Sequence, residues 1–268
     1  EGVMFKSKDK IAVAVRKPNG KIKVKTDKYK SLTEKFPLCL PFIRGIIVLI
    51  ETLILGIKTL NYSTNENLGD KKEEQLSGVA LFFSLLLSIV LAIFLFKFLP
   101  LLGAQLLPIE NNYLFNLVEG VIKIGILVGY IWLISLMPDV KTLYQYHGAE
   151  HKVINAYENN DLKNAKKYTT LHPRCGTSFI IFVVFISILV YILIPMDFSF
   201  WVKLGLRLLF LPVIAGIAYE LIKLSGRFTK NPLLKLIVYP GLLLQRITTK
   251  EPTEKQLEVS MKAFKAVQ

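Results

Sequence analysis

The sequence predicts a mainly α, polytopic membrane helix bundle: four spanning helices, one re-entrant or interfacial helix, and a small cytoplasmic N-terminal β-hairpin. Three observations lead there. The 268 residues are 52% hydrophobic with a mean hydropathy of +0.45, too apolar for a soluble domain of this length, and the apolar residues run in blocks. The net charge of +14 comes from Lys and Arg that avoid those blocks and collect in some of the connections. One stretch near the start alternates polar and apolar residues with the period of a strand.

Residues 1–37 are polar and basic. Lys10–Arg16 and Lys21–Thr26 alternate on either side of Pro18-Asn19-Gly20, and alternation around Asn-Gly signals a hairpin. A lone hairpin is marginal in water, so this one is expected to pack on another cytoplasmic piece or on lipid headgroups. Residues 38–60 are apolar but carry Arg44, Glu51 and Lys58, seven residues apart and hence along one helical stripe. Residues 79–96 and 178–195 carry no charge and are long enough to span. Residues 113–137 span with Glu119 and Lys123 as an i,i+4 pair, more a structural pair than a transport path. Residues 204–223 span with Arg207, Pro212 and Glu220 inside, the proline as a kink. In the tail, Leu233–Leu244 is apolar and expected to break at Pro240-Gly241. An amphipathic helix follows, announced by the capping-box spacing Thr253…Gln256 and by Leu257, Met261 and Phe264.

Charge sets the topology. Eleven Lys or Arg precede residue 38, six lie in 138–177 and eight in 225–268, while 99–112 and 196–202 hold none. Basic segments stay in the cytoplasm, so four spans put both termini inside and the bare loops outside. A crossing at 38–60 would send eleven charges out, hence its reading as re-entrant or interfacial. Three regions follow: 1–37, a basic hairpin segment; 38–224, a membrane domain with a cytoplasmic loop at 138–177; and 225–268, a cytoplasmic tail. Two cysteines, Cys39 and Cys175, make no disulfide framework and fit a reducing compartment. The chain opens on Glu1 rather than Met, so further N-terminal residues are expected, and no signal-peptide core is visible. The basic residues read as partners of a bilayer with anionic headgroups, with no nucleic acid expected. An oligomer stays open.

All three histidines fall in 147–172. His147-Gly-Ala-Glu150-His151 puts two imidazoles at i,i+4 on one helical face, the spacing that grips one metal ion, with Glu150 beside them as general base. The order His-x-x-Glu-His is that of the inverted zinc-peptidase motif. His172-Pro-Arg174-Cys175 offers another imidazole and a thiolate, a set that favours zinc or another divalent transition metal over magnesium. Arg174 can hold an anionic substrate or orient Glu150. Glu220, downstream in the last span, stands as a further ligand, since inverted zinc peptidases take a downstream Glu. The plainer alternatives are histidines on an amphipathic helix and Cys175 as a buried thiol. No P-loop, dinucleotide fingerprint or nucleophile elbow is present.

Tyr146–Lys152, His172–Phe179, Glu1–Met4 and Gln245–Pro252 together resemble the bacterial YqhQ family. That family consists of membrane proteins of unknown function, at times labelled predicted metal-dependent enzymes. The resemblance runs over essentially the whole chain. It implies a multi-pass protein of the bacterial cytoplasmic membrane and supplies no reaction. His147, Glu150, His151, His172 and Cys175 match the family motifs as they stand. The first functional expectation is therefore a zinc-type hydrolase at the cytoplasmic membrane face. The second is a non-catalytic assembly, quality-control or sensing protein with a structural metal site. The third is an ion transporter.

Overall fold

The computed structural model describes residues 2–68, 78–227 and 232–268, with side chains apart from 68 and 225–237. Glu1, which belongs to the opening motif, lies outside them.

The chain begins with an antiparallel sheet of three strands, β1 (Gly2–Lys6), β2 (Lys10–Arg16) and β3 (Ile22–Lys28), in the order β1-β2-β3. The hairpin is present, and β1 is an addition to it. Val3, Met4 and Phe5 are consecutive apolar residues, so no alternation announces the strand. The central strand β2 is apolar on both faces. Ala12 and Ala14 join Val3 and Phe5 on one side, and Ile11, Val13 and Val15 lie on the other.

Those second-face residues pack on Leu55 and Tyr62 of α1 (Ile43–Leu68). This helix is unbroken for 26 residues, which removes the re-entrant reading. Its charged stripe is spent on the protein. Arg44 pairs with Glu220, and Glu51 accepts from Tyr29, Ser31 and the Leu32 N–H. Gly45 and Gly216 let α1 and the chain before it meet a later helix closely. A Cβ at Gly45 would stand 2.8 Å from Tyr219 Cβ, and one at Gly216 2.9 Å from Phe42 O.

Next come α2 (Gly78–Gln105), with a π turn at Phe94–Phe98, and α3 (Asn112–Ile134). Both are long and apolar enough to cross a membrane. Then follow α4 (Pro138–Glu158), α5 (Gly176–Tyr191), α6 (Phe200–Leu209) and α7 (Leu211–Arg227). The last two meet at 43° and pass the same test together as a broken span. Pro212 does not kink a single helix. It sits in the first turn of α7, where a missing N–H costs nothing. With 16 residues, α5 reaches about 24 Å, short of a hydrocarbon core of about 30 Å. The described residues thus hold two candidate spans, or three with the bent pair, where the sequence predicted four.

The tail also departs from expectation. α8 (Pro232–Thr248) runs through Pro240 without breaking, and Gly241 brings it against Ser178 on α5. α9 (Glu254–Val267) starts with the capping box that its sequence announces.

The three predicted regions do not fold separately. Val3, Phe5, Ala12 and Ala14 of the sheet, Tyr146, Val153 and Ala156 of α4, and Val259, Ala263, Phe264 and Val267 of α9 share one core. Arg16 ties the sheet to α9 through Lys255 O at 2.8 Å and Glu258 at 2.7 Å. This unit stacks α9 and α4 on one face of the sheet and α1 on the other.

Candidate metal centre

The centre lies where α4, the start of α5 and the end of α8 meet. Pro138 and Asp139 open α4 as the sequence predicts, and its helical period brings His147 and His151 onto one side, with ring centroids 4.4 Å apart. Cys175 is the N-cap of α5, its Sγ accepting from the Thr177 N–H at 3.4 Å. The capping role fixes where the sulfur points.

Both rings are oriented from behind. His147 Nδ1 lies 2.9 Å from Thr248 O, and His151 Nδ1 lies 2.5 Å from Thr170 O. A carbonyl only accepts, so each Nδ1 carries the proton and each Nε2 keeps its lone pair. Thr248 O is free to accept because it ends α8, where the last carbonyls have no partner within the helix. His147 Nε2 faces Cys175 Sγ at 3.1 Å, and His151 also bonds the thiol. One donor atom from each of His147, His151 and Cys175 lies within 4.8 Å of the others. Tetrahedral zinc separates an imidazole nitrogen and a thiolate sulfur by about 3.5 Å, a few tenths of an ångström more than the His147–Cys175 distance. Burial pushes the Cys175 thiol up, but hydrogen bonds that favour the thiolate, from His151 when its ring carries a second proton and from Thr177, outweigh it and hold the group below its ordinary value.

Gly148 is what lets the tail cross α4 here. A Cβ there would stand 2.0 Å from Lys250 O, while Lys250 N–H donates to Tyr144 O at 2.9 Å. Gln245, fully buried on α8, holds the 172 loop. It accepts from His172 N–H, and its amide donates to His172 O and Ser178 Oγ, all at 2.9 Å.

The remaining predicted residues spread out. His172 stands beside the cluster, its ring 5.8 Å from that of His151. Its Nδ1 accepts from the Arg174 N–H at 3.3 Å, and its Nε2 turns to Glu158, 3.4 Å away. Burial lowers its pKa. Arg174 pairs with Glu158 instead of orienting Glu150. Glu220 does not join the centre. Its carboxylate is held by Arg44 Nε at 2.7 Å, by Arg44 Nη2 and by the Phe42 N–H. An opposite charge nearby is worth more to it than a distant ion.

Glu150 faces a cavity of about 360 Å³ that it shares with His147, Leu143, Tyr144, Tyr146 and Gly2–Met4. Burial raises its pKa to about 7, against the opposing pull of His147. A second cavity of about 280 Å³ also touches Gly2–Met4, Leu143 and Tyr146, and extends to Leu60 and Ser63 on α1. Sequence reasoning missed Thr170, Thr248, Gly148 and Gln245. The first two act through backbone carbonyls, which leave no mark in a sequence. Gln245 left one, as an uncharged polar residue in an apolar helix.

A family model described as a protein of unknown function (DUF1385) matches residues 40–268. The uncharacterized protein YqhQ of Bacillus subtilis (strain 168) is 37% identical over 287 residues, covering 98% of this chain and 88% of that one. No solved structure matches.

Proposed function

Since the chain belongs to the DUF1385 (YqhQ) family, for which no reaction is known, its site must supply the function, and we propose a membrane-embedded, metal-dependent hydrolase. One observation carries this reading. Two imidazoles donate Nδ1–H to backbone carbonyls and turn Nε2 on a shielded thiol, the outer-shell arrangement that metal-ligating histidines keep. His147, His151 and Cys175 would hold zinc or a similar divalent ion. Three protein ligands leave a fourth position, as in catalytic zinc sites. The ion would supply a Lewis acid that polarises the bond under attack. Glu150, at the cavity wall next to His147, would take the proton from the attacking water and deliver it to the leaving group. Peptide, lipid and other ester bonds all suit this chemistry.

The proposed setting is the bacterial cytoplasmic membrane with both ends inside. Packing supports four crossings by parity. β1, α4 and α9 share one core, so an even number of crossings separates each from the next. α2 and α3 supply one pair, α5 and the bent α6–α7 the other. A short α5 fits where the bilayer thins locally. The basic hairpin would meet anionic headgroups.

A structural site is the second reading, favoured because the centre ties α4, α5 and α8 together as a staple would. Zinc content and hydrolytic turnover of purified Glu150→Gln and His147→Ala/His151→Ala variants separate the two. A hydrolase predicts that Glu150→Gln keeps its zinc and loses at least a hundredfold in rate, while the double variant loses the metal. Zinc unchanged in the double variant removes the centre. Undiminished turnover in Glu150→Gln removes the base and leaves the staple.

A further inference from the structure

Four cations are sealed inside the helix bundle. Lys97, Lys123, Lys203 and Arg207 are 8%, 4%, 6% and 1% exposed. Lys203 lies over the Phe115 ring. The other three surround Tyr191, with Lys97 Nζ, Lys123 Nζ and Arg207 Cζ at 5.2, 4.9 and 4.9 Å from the ring centroid. Among the described residues, Glu119 is the carboxylate that meets them. Its Oε1 takes Lys123 Nζ at 3.2 Å, and its Oε2 takes Arg207 Nη2. Three basic side chains thus share one carboxylate, and Glu119 cannot pair with all of them when they are charged.

The remaining contacts are neutral. Lys97 Nζ donates to Tyr191 OH at 2.7 Å, Lys123 reaches Ser187 Oγ at 3.5 Å, and Arg207 Nη2 reaches Asn116 Oδ1 at 3.1 Å. Among the described residues, the buried Arg207 Nε and Nη1 have no hydrogen-bond partner. A guanidinium does not lose its proton in a protein, so these donors must find an acceptor or stay orphaned at high cost. The backbone nearby is irregular in two places. Lys97 lies in the π turn of α2, a feature frequent at functional sites. Arg207 sits close before the α6–α7 break, and broken helices build ion sites in membrane proteins.

We propose that Lys97, Lys123 and Arg207 form a binding site for a small monovalent anion of the halide class. The two unpartnered Arg207 donors, beside two lysines that share its single carboxylate, call for an anionic acceptor. The sealing of the side chains demands one that is small and sheds its water readily, which disfavours phosphate and sulfate. Tyr191 is about 24 Å along the helix from Cys175, so this site and the metal centre do not share a ligand.

The experiment uses the purified full chain in detergent, exchanged into gluconate, with direct binding of radioactive chloride. The expected result is one saturable site per chain, competed by bromide and untouched by gluconate, sulfate or phosphate. Lys97→Met should weaken it at least tenfold with zinc content unchanged, and Lys97→Arg should retain it. No saturable chloride binding to the folded wild-type chain overturns the proposal. So does competition by sulfate or phosphate in preference to bromide. Wild-type affinity in Lys97→Met also overturns it. The wild-type measurement stands by itself if Lys97→Met fails to fold.

Discussion

Residue by residue, the centre depends on small features that carry no chemistry themselves. Gly148 is the sharpest. Any side chain there meets the carbonyl of Lys250, and backbone cannot swing aside as a rotamer can. Gly148→Ala should push the 248–250 segment off α4, carrying Thr248 O away from His147. We expect a loss of about 1–3 kcal/mol in stability, read as a lower Tm, together with weaker zinc binding. A Tm and zinc affinity equal to wild type would mean that the tail does not orient His147. The histidine pair and Glu150 were legible because a helix converts spacing into facing. Glu220 was misread because its partner Arg44 is 176 residues away in sequence, and no period reveals that pairing.

At the scale of elements, local chemistry proved legible and long-range continuity did not. The box at Thr253 and Gln256 starts α9 as its spacing says, whereas Pro240 fails to stop α8. Tertiary support from α5, against which Gly241 is pressed, holds the helix through the proline. β1 was invisible for a different reason: its pairing with β2, Val3 opposite Ala14 and Phe5 opposite Ala12, gives it a core that five residues cannot advertise. Thr253→Ala removes the cap and should cost about 1 kcal/mol, loosening α9 from the sheet. Hydrogen exchange should then rise in both α9 and β1, because Phe5 and Phe264 pack edge to face at 5.2 Å. Faster exchange confined to α9 would contradict a shared core.

For the whole molecule, the reading of 38–60 as no crossing rested on charge, and in the fold two of those charges, Arg44 and Glu51 of α1, are engaged by protein groups. The core shared by the sheet, α4 and α9 was not legible, because sequence order says nothing about which distant segments meet. The proposed topology has a direct test. In a Cys39→Ser background, Glu110→Cys in the α2–α3 loop should react with a membrane-impermeant maleimide added outside intact cells. Lys163→Cys, in the connection after α4, should react only once the membrane is opened. Labelling of both from outside, or of neither, would break the parity of four.

The shared core of β1 and α9 has a consequence for how the protein is made. β1 leaves the ribosome long before α9, the helix that completes its core. Until then the core around Val3 and Phe5 lacks Val259, Ala263, Phe264 and Val267, and before α8 Thr248 has not arrived to turn His147. The cluster of His147, His151 and Cys175 therefore takes its final geometry only after α8 has been made, and a chain that ends before α8 lacks the carbonyl that orients His147.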